Sequence, residues 1–374
     1  MRDLSDEKIA IIGGGLGGLC AALCFAARGA RVRVFEASPS FGDVGAGIQA
    51  PSNALRVLRA IGIDPGRAMR SQGMTLNDNA GRRVAILPNE RRREIRLFHR
   101  ADLLKLLEEA CRARGIEINL GARVDPANPP EADLIVAADG VKSRFRAHVC
   151  PDLATASFSG QIAWRALVPA PGGIAEAGVN VYMGAGQHVV VYPLRDGKQI
   201  NIVAAEDARE GAPEGWREQA AQHDLAQRFS QFGGPLPELF ARATEVHRWG
   251  LFNHALPPRW SDGNVALLGD AAHAMLPYLA QGAAMAFEDA YELARAWAAL
   301  DDPDAALGAY ERRRAPRVER VMKEARANAT RFHHQSPLAR FIGYSGLRAA
   351  SSLAPGLISA RFNWLYNFDV TSGG

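Results

Sequence analysis

The chain has 374 residues, 48% hydrophobic and 22% charged, which describes a globular protein with a large core and, at about 150 residues each, two or three domains. Its net charge of +4 comes with no dense Lys/Arg tract apart from Arg91 to Arg93, so it reads as a solvated face or a steering field for small anions, not as a nucleic-acid footprint. Four cysteines, Cys20, Cys24, Cys111 and Cys150, make no CxxC pair and no His-rich spacing, so no metal site or disulfide framework is expected, only small buried hydrophobes in a reducing, cytoplasmic compartment.

Residues 8–12 read as a strand, followed by GGGLGG (13–18) and a helical run through Arg28 that Gly29 stops. This is G-x-G-x-x-G in its proper context, and it explains the uncharged run 9–27 better than a signal peptide or a membrane span does. Gly13 allows the tight turn, Gly15 lets a pyrophosphate approach the backbone at the helix N-terminus, and Gly18 permits close packing of helix on strand. A second strand, 31–35, ends in Glu36, 18 positions past Gly18 and near the roughly 20 expected of the residue that binds a ribose hydroxyl. A glutamate there argues for an unphosphorylated adenosine ribose, hence FAD or NAD.

A second glycine-rich loop (42–47) is either a connection or backbone pressed against a ring, and 51–61 is a short helix. Residues 73–87 read as two strands about a turn at 78–81, an insertion into the dinucleotide-binding unit. Chain order resumes with a helix from about Phe98 to Arg114, where Arg100 either pairs with phosphate or sits on the surface. Strands at 115–124 and 132–138 follow, and Asp139-Gly140 with Ser143 as an N-cap is good local chemistry for closing the sheet over a ligand.

From about Thr155 to Trp249 the pattern changes to alternating strands, a second and mostly antiparallel layer. Its clearest piece is a hairpin in which 187–195 and 198–205 flank Asp196-Gly197, a preferred type I′ pair. That turn sets Tyr192 opposite Asn201, Val190 opposite Val203 and His188 opposite Ala205. One face is then wholly apolar; the other carries His188, Tyr192 and Asn201, and either lines a cavity or meets solvent. His99, His148, His223, His247, His254, His333 and His334 have no ligand spacing or nucleophile partner and read as surface or structural residues.

Residues 263–290 form a strand, a loop and a helix without a break. Asp270 stands just past the strand, with His273, Pro277 and Gly282 between it and the helix. A carboxylate there can hold a sugar or ribityl hydroxyl, and a small-residue helix start offers N–H groups to developing negative charge; alone, the stretch is also an ordinary βα connection. The chain then reads as helical to about Arg331, kinked or restarted at Pro316. A partly apolar helical tail (338–368) packs on the body, supports a homodimer or brushes a membrane surface. No G-x-S-x-G, H-E-x-x-H or G-K-[ST] sequence is present.

Three motifs in the right order, GGGLGG with Glu36, AADGVKSRFR and LLGDAAHAMLPYLAQGAAMAFEDA, with FSGQIAWRALVP and YERRRAPRVERV in support, carry a family resemblance over nearly the whole chain. The chain resembles the single-component FAD-dependent aromatic hydroxylases of the salicylate, 3-hydroxybenzoate and 6-hydroxynicotinate hydroxylase group. The resemblance implies an α/β (α+β) fold: a Rossmann-like FAD-binding domain (1–72, 98–154, 259–330), a β insertion (73–97), an inserted, mostly antiparallel substrate domain (155–258) and C-terminal helices (331–374). It implies that Gly13, Gly15, Leu16, Glu36 and Ala37 hold the ADP half of FAD, that Arg100 and Asp139 serve the cofactor and its pyrophosphate, and that Asp270 binds the ribityl chain. Gly282 and Ala283 sit at the pyrimidine end of the flavin in this reading. Where the family commonly has Pro after the motif histidine, this chain has Ala274, which blurs the substrate assignment.

The chemistry implied is hydroxylation of a small phenolic or hydroxy-heteroaromatic acid by NADH or NADPH and O2 through a flavin C4a-hydroperoxide. His188, with an imidazole pKa near neutrality and Tyr192 beside it, is then the base; Pro277, Tyr278 and Asn201 border the substrate. A single dinucleotide fingerprint means that the nicotinamide cofactor docks transiently. The rival readings are an NAD-dependent dehydrogenase and a non-catalytic flavin-binding protein; no metal, nucleic acid or stable membrane insertion enters any of them.

Overall fold

Ile9 to Ile12 are buried one after another, because β1 (Lys8–Ile12) lies between two parallel neighbours and is covered on both faces. The computed structural model describes residues 2–42, 47–89, 93–173, 177–214, 218–353, 356 and 360–372. Most of the glycine-rich loop at 42–47 and two of the three arginines at 91–93 lie outside them. The chain continues through α1 (Leu16–Ala26), β2 (Arg31–Glu36), β3 (Gly47–Pro51), α2 (Ser52–Ala60), β4 (Met69–Arg70), β5 (Gly73–Asp78), β6 (Arg83–Pro88) and β7 (Ile95–His99). Then come α3 (Arg100–Ala113), β8 (Glu117–Leu120), β9 (Leu134–Ala137), α4 (Arg144–Val149), β10 (Ser157–Pro169), β11 (Gly178–Gly184), β12 (Gln187–Leu194) and β13 (Gln199–Asp207). The last part holds α5 (Gln222–Arg228), α6 (Leu236–Ala241), β14 (Thr244–Asn253), β15 (Ser261–Asp262), β16 (Val265–Leu267), α7 (Asp270–His273), α8 (Gly282–Ala299), α9 (Pro303–Phe332), α10 (Pro337–Leu353) and a short α11 (Asn363–Tyr366).

Two main sheets result. The first, in the order β15-β16-β9-β1-β2-β8, is parallel except at its β15 edge and carries the largest core with α1, α3 and α8. Ile12 pairs with Phe35 on one side and Ala137 on the other, and Ala137 pairs with Leu267. The carboxyl ends of four strands are therefore level, and the order reverses at β1, the place where open α/β sheets bind ligands.

The second sheet runs β14-β10-β13-β12-β11-β5-β6 and is antiparallel except where β5 meets β11. The two strands at 73–88, read from sequence as an insertion of their own, extend this sheet at its edge. The hairpin has the expected register, with Tyr192 opposite Asn201 and His188 opposite Ala205. Its central residues Asp196 and Gly197 have φ of 56° and 80°, and Arg195, also at a positive φ of 50°, is held by an ion pair to Asp102. The apolar face, with Val189, Val191, Ile200 and Ile202, packs on Phe229 and Phe240 around α5 and α6. On the other face His188, Tyr192 and Asn201 are all buried, so that face meets protein and not bulk water.

One expectation for the last third changes. The helix restarts at Pro303, not at Pro316: Asp302 caps the N–H of Asp304 and Pro303 occupies the first turn, a helix-start pattern, while Pro316 lies within α9. Arg314 and Arg317 bind α8 on either side of that proline and hold α9 together across it. The tail packs on the body, with Tyr344 donating to the Met183 carbonyl, Ser351 bonded to Ile86 of β6, and Leu365 fully buried. Among the described residues no helix is long and apolar enough to cross a membrane.

Candidate active site

The level carboxyl ends of β1, β9 and β16 place three loops in one cleft. In the first, Gly13 has φ of 109°, and a β-carbon there would come within 2.3 Å of the Ala138 carbonyl oxygen. Gly18 is tighter still, 1.9 Å from the Gly13 carbonyl oxygen, so both glycines are demanded by packing. Gly15 differs: its β-carbon position meets nothing within 4 Å. It caps α1 without any side-chain hydrogen bond, and Leu16 opens the helix. The first turn therefore presents backbone N–H groups to open space. Glu36, at the end of β2 and beside exposed Ala37, accepts from Gly14 N–H at 2.6 Å and Ser38 N–H at 2.7 Å, which fixes its carboxylate at the rim.

The second loop carries Asp139. Its Oδ2 accepts from Arg144 N–H at 2.9 Å, while its Oδ1 is buried without a hydrogen-bond partner among the described residues. The third carries Asp270, at the start of α7. Solvent reaches this carboxylate, yet protein surrounds it closely enough that burial pushes its pKa up against the pull of His273, Arg100, His254 and Arg146. Accessibility together with dense surroundings places the group on the floor of a cleft. Arg100, at the start of α3, has its pKa lowered by burial and supported by the charges of Asp270 and Glu36. Arg146 ties two of the loops, donating to the Asp270 carbonyl at 3.1 Å.

The approach to α8 closes the cleft. Pro277 is exposed and Tyr278 buried in the turn before it, Gln281 is 1% exposed, and the β-carbon position of Gly282 meets open space. No side chain caps α8 and no acid stands in its first turn, so the N–H groups around Gly282 and Ala283 keep their positive end unscreened. The buried Gln281 Nε2 and Asn53 Oδ1 beside it have no hydrogen-bond partner among the described residues. A glycine cradle, a rim carboxylate, and orphaned polar atoms along one cleft fit an extended dinucleotide.

Opposite this turn lies the polar face of the second sheet. The His188 and Tyr278 rings are 5.4 Å apart. Burial, with His333 next in effect, pushes the His188 pKa down to about 3, which corrects the expectation of a value near neutrality. Tyr192 is not beside His188. Its ring packs on Gly47, where a β-carbon would meet it at 2.4 Å, and burial raises its pKa. Asn201 is fully buried and accepts from Gly47 N–H at 2.7 Å. Both fasten β3 to the sheet, and the Asn201 Nδ2 is buried without a hydrogen-bond partner among the described residues.

Sequence reasoning missed His333. It is 5% exposed, and its Nε2 lies 2.7 Å from His188 Nδ1 while its Nδ1 lies 2.6 Å from Asp207. The only signal was its position just past a long helix. Arg165, on the same face of β10 and cationic at neutral pH although burial and the nearby Arg100 lower its pKa to about 10, was missed as well. His273 is fully buried and bonded at 2.6 Å to Asp289, inside the core and away from the cleft surface.

A family model of the FAD binding domain matches residues 6–325. The chain belongs to that family. As an FAD-dependent aromatic hydroxylase it is 34% identical to the 3-amino-4-hydroxybenzoate 2-monooxygenase of Streptomyces cremeus, over 88% of this chain and 88% of that one. It is 33% identical to 3-hydroxybenzoate 6-hydroxylase 1 of Aquipseudomonas alcaligenes, over 96% and 97%. Among solved structures, Klebsiella pneumoniae HpxO complexed with FAD and uric acid aligns with a TM-score of 0.80 at 24% identity, over 98% and 97% of the two chains. FAD is the cofactor of this hydroxylase.

Proposed function

We propose that the hydroxylase inserts one oxygen atom of O2 into the ring of a small phenolic or hydroxy-heteroaromatic carboxylic acid, with NADH or NADPH as the reductant. The observation that carries this reading is the buried His188 imidazole, 5.4 Å from Tyr278 in the turn that leads into α8. With NADH or NADPH as the source of electrons, FAD bound here would supply the activated oxygen. Gly13, Gly15, Leu16, Glu36 and Ala37 hold its ADP half, Arg100 and Asp139 its pyrophosphate region, and Asp270 its ribityl hydroxyls. The N–H groups of Gly282 and Ala283, at the positive end of α8, favour negative charge on the flavin.

The aromatic substrate lies between Pro277 and Tyr278 and the sheet face, where His188 takes the phenolic proton and makes the ring electron-rich. Arg165 on that face answers the substrate carboxylate. Residues 1–72, 98–154 and 259–330 build the FAD-binding part, and 155–258 with the strands at 73–88 the substrate layer. With one dinucleotide fingerprint, the nicotinamide cofactor binds transiently.

The test is a screen of 3-hydroxybenzoate, salicylate, 6-hydroxynicotinate and related acids for stimulation of O2-dependent NADH or NADPH consumption, with products identified by mass. At least one acid should both stimulate consumption and gain an oxygen atom, with or without loss of CO2. If none does so with flavin-loaded protein, the assignment to phenolic acids is wrong.

A further inference from the structure

His188 is 5% exposed, and a buried imidazole that takes a proton must have somewhere to send one, because an imidazolium without a partner is costly there. With His333 neutral, the contacts behind it fix where the protons lie. Asp207, at the end of β13, only accepts, so its 2.6 Å contact puts a proton on His333 Nδ1. Neutral His333 is then bare at Nε2 and accepts at 2.7 Å from His188 Nδ1–H, which leaves the His188 lone pair on Nε2. Gln161 bridges the cluster. Its Nε2 stands 3.0 Å from His333 Nδ1, where two donors cannot bond, but donates to Asp207 at 3.1 Å, and its Oε1 accepts from the Tyr278 hydroxyl at 2.6 Å.

We propose that His333 and Asp207 are positioning residues for the hydroxylation: they hold His188 in the tautomer whose Nε2 accepts the phenolic proton, and they conduct a proton from it to the protein surface. The proposal rests on the reading of His188 as the base. Exposure follows the direction of transfer, from His188 and His333 at 5% each to the Asp207 side chain at 33%. His333 also follows the last turn of α9, whose carbonyl end favours a cation. The step balances without a redox partner: the phenolic O–H bond breaks as His188 Nε2–H forms, His188 Nδ1–H passes to His333 Nε2, and His333 Nδ1–H passes to Asp207 at the solvent edge. Reverse transfer restores the starting tautomers when the product phenol is formed.

Among the described residues the titratable groups facing His188 are His333 beyond α9, Asp207 on β13 and Tyr278 in the turn before α8, with Gln161 of β10 as the neutral link. Burial keeps the His188 pKa low, so a proton does not rest there. Burial raises the Asp207 pKa, but the hydrogen bonds from His333 and Gln161 outweigh it and hold the group below its usual value, so that it remains an acceptor.

The test uses FAD-loaded wild type, His188→Gln, His333→Gln, Asp207→Asn and Asp207→Glu, each accepted only with a native flavin spectrum. The probe is 3-hydroxy-4-nitrobenzoate, whose phenolate is coloured. In the wild type the bound probe should ionise at lower pH than the free one. Asp207→Asn can donate to His333 Nδ1 and so reverse both tautomers; it should raise the pH of bound-probe ionisation by about one unit or more. The same variant should slow turnover of the best acid from the screen about 100-fold. His333→Gln should follow Asp207→Asn, and Asp207→Glu should restore most of the loss. If both former variants ionise the probe like the wild type while His188→Gln does not, the relay is refuted and the base stands. If His188→Gln also behaves like the wild type, the base assignment falls and the relay with it.

Discussion

Arg314→Met tests how α8 is held. Arg314 is 1% exposed and bridges two fully buried carboxylates on α8, Glu288 at 2.6 Å and Asp289 at 2.7 Å. Its removal leaves Glu288 with Arg317 at 2.7 Å and Asn53 at 2.8 Å, and Asp289 with His273 at 2.6 Å and the Gly269 N–H at 3.2 Å. Breaking a buried pair costs about 3–5 kcal/mol, and since each carboxylate keeps partners the lower end, about 3 kcal/mol, applies. At roughly 1.3 °C per kcal/mol for a chain of this size, the unfolding midpoint should fall by about 4 °C.

The pH dependence has a definite sign. Burial raises the Asp289 pKa, but His273 and Arg314 outweigh it and hold it below its usual value, so its contribution is present above the unfolded carboxylate pKa and is lost as pH falls through the folded one. Without Arg314 burial gains ground and Asp289 takes up a proton at higher pH. The deficit of the variant should therefore shrink from neutral pH toward acid. Circular dichroism melts at several pH values, with flavin fluorescence recording FAD release, would measure both effects. A midpoint within about 1 °C of the wild type at neutral pH would show the buried pair to be energetically neutral and refute the reasoning.

The fingerprint glycines should separate by role: Gly15→Glu should fold normally, since the position is open, but lose FAD affinity about 1000-fold, the effect of a like charge near 4 Å at an effective dielectric of about 20. Gly18→Ala should instead lower the melting midpoint of the apoprotein, and retention of flavin absorbance by Gly15→Glu would contradict the cradle. Arg165→Met should raise KM for a carboxylate-bearing substrate about 10–100-fold, as expected for loss of a charge-assisted hydrogen bond, and leave the corresponding neutral phenol unaffected; an equal change for both would remove Arg165 from substrate recognition.

The readings that survived were local or set by a single turn. The glycine fingerprint is legible because positive φ at Gly13 and the absence of a side chain at Gly18 are demanded within a few residues. The hairpin is legible because two turn residues determine every later pair, so that the faces of β12 and β13 follow from Asp196 and Gly197. The stretch from β16 through α8 likewise carries its strand, loop and helix signals in its own composition. What remained hidden depends on contacts between distant segments. His333 meets His188 across 145 positions, and no periodicity in either segment records that meeting. The place of β5 beside β11, the tie between Asn201 and Gly47, and the pairing of Arg314 with α8 are equally non-local. Burial decided the rest. A histidine read from sequence has the pKa of a histidine in water; only the packing around His188 removes that water and lowers its basicity.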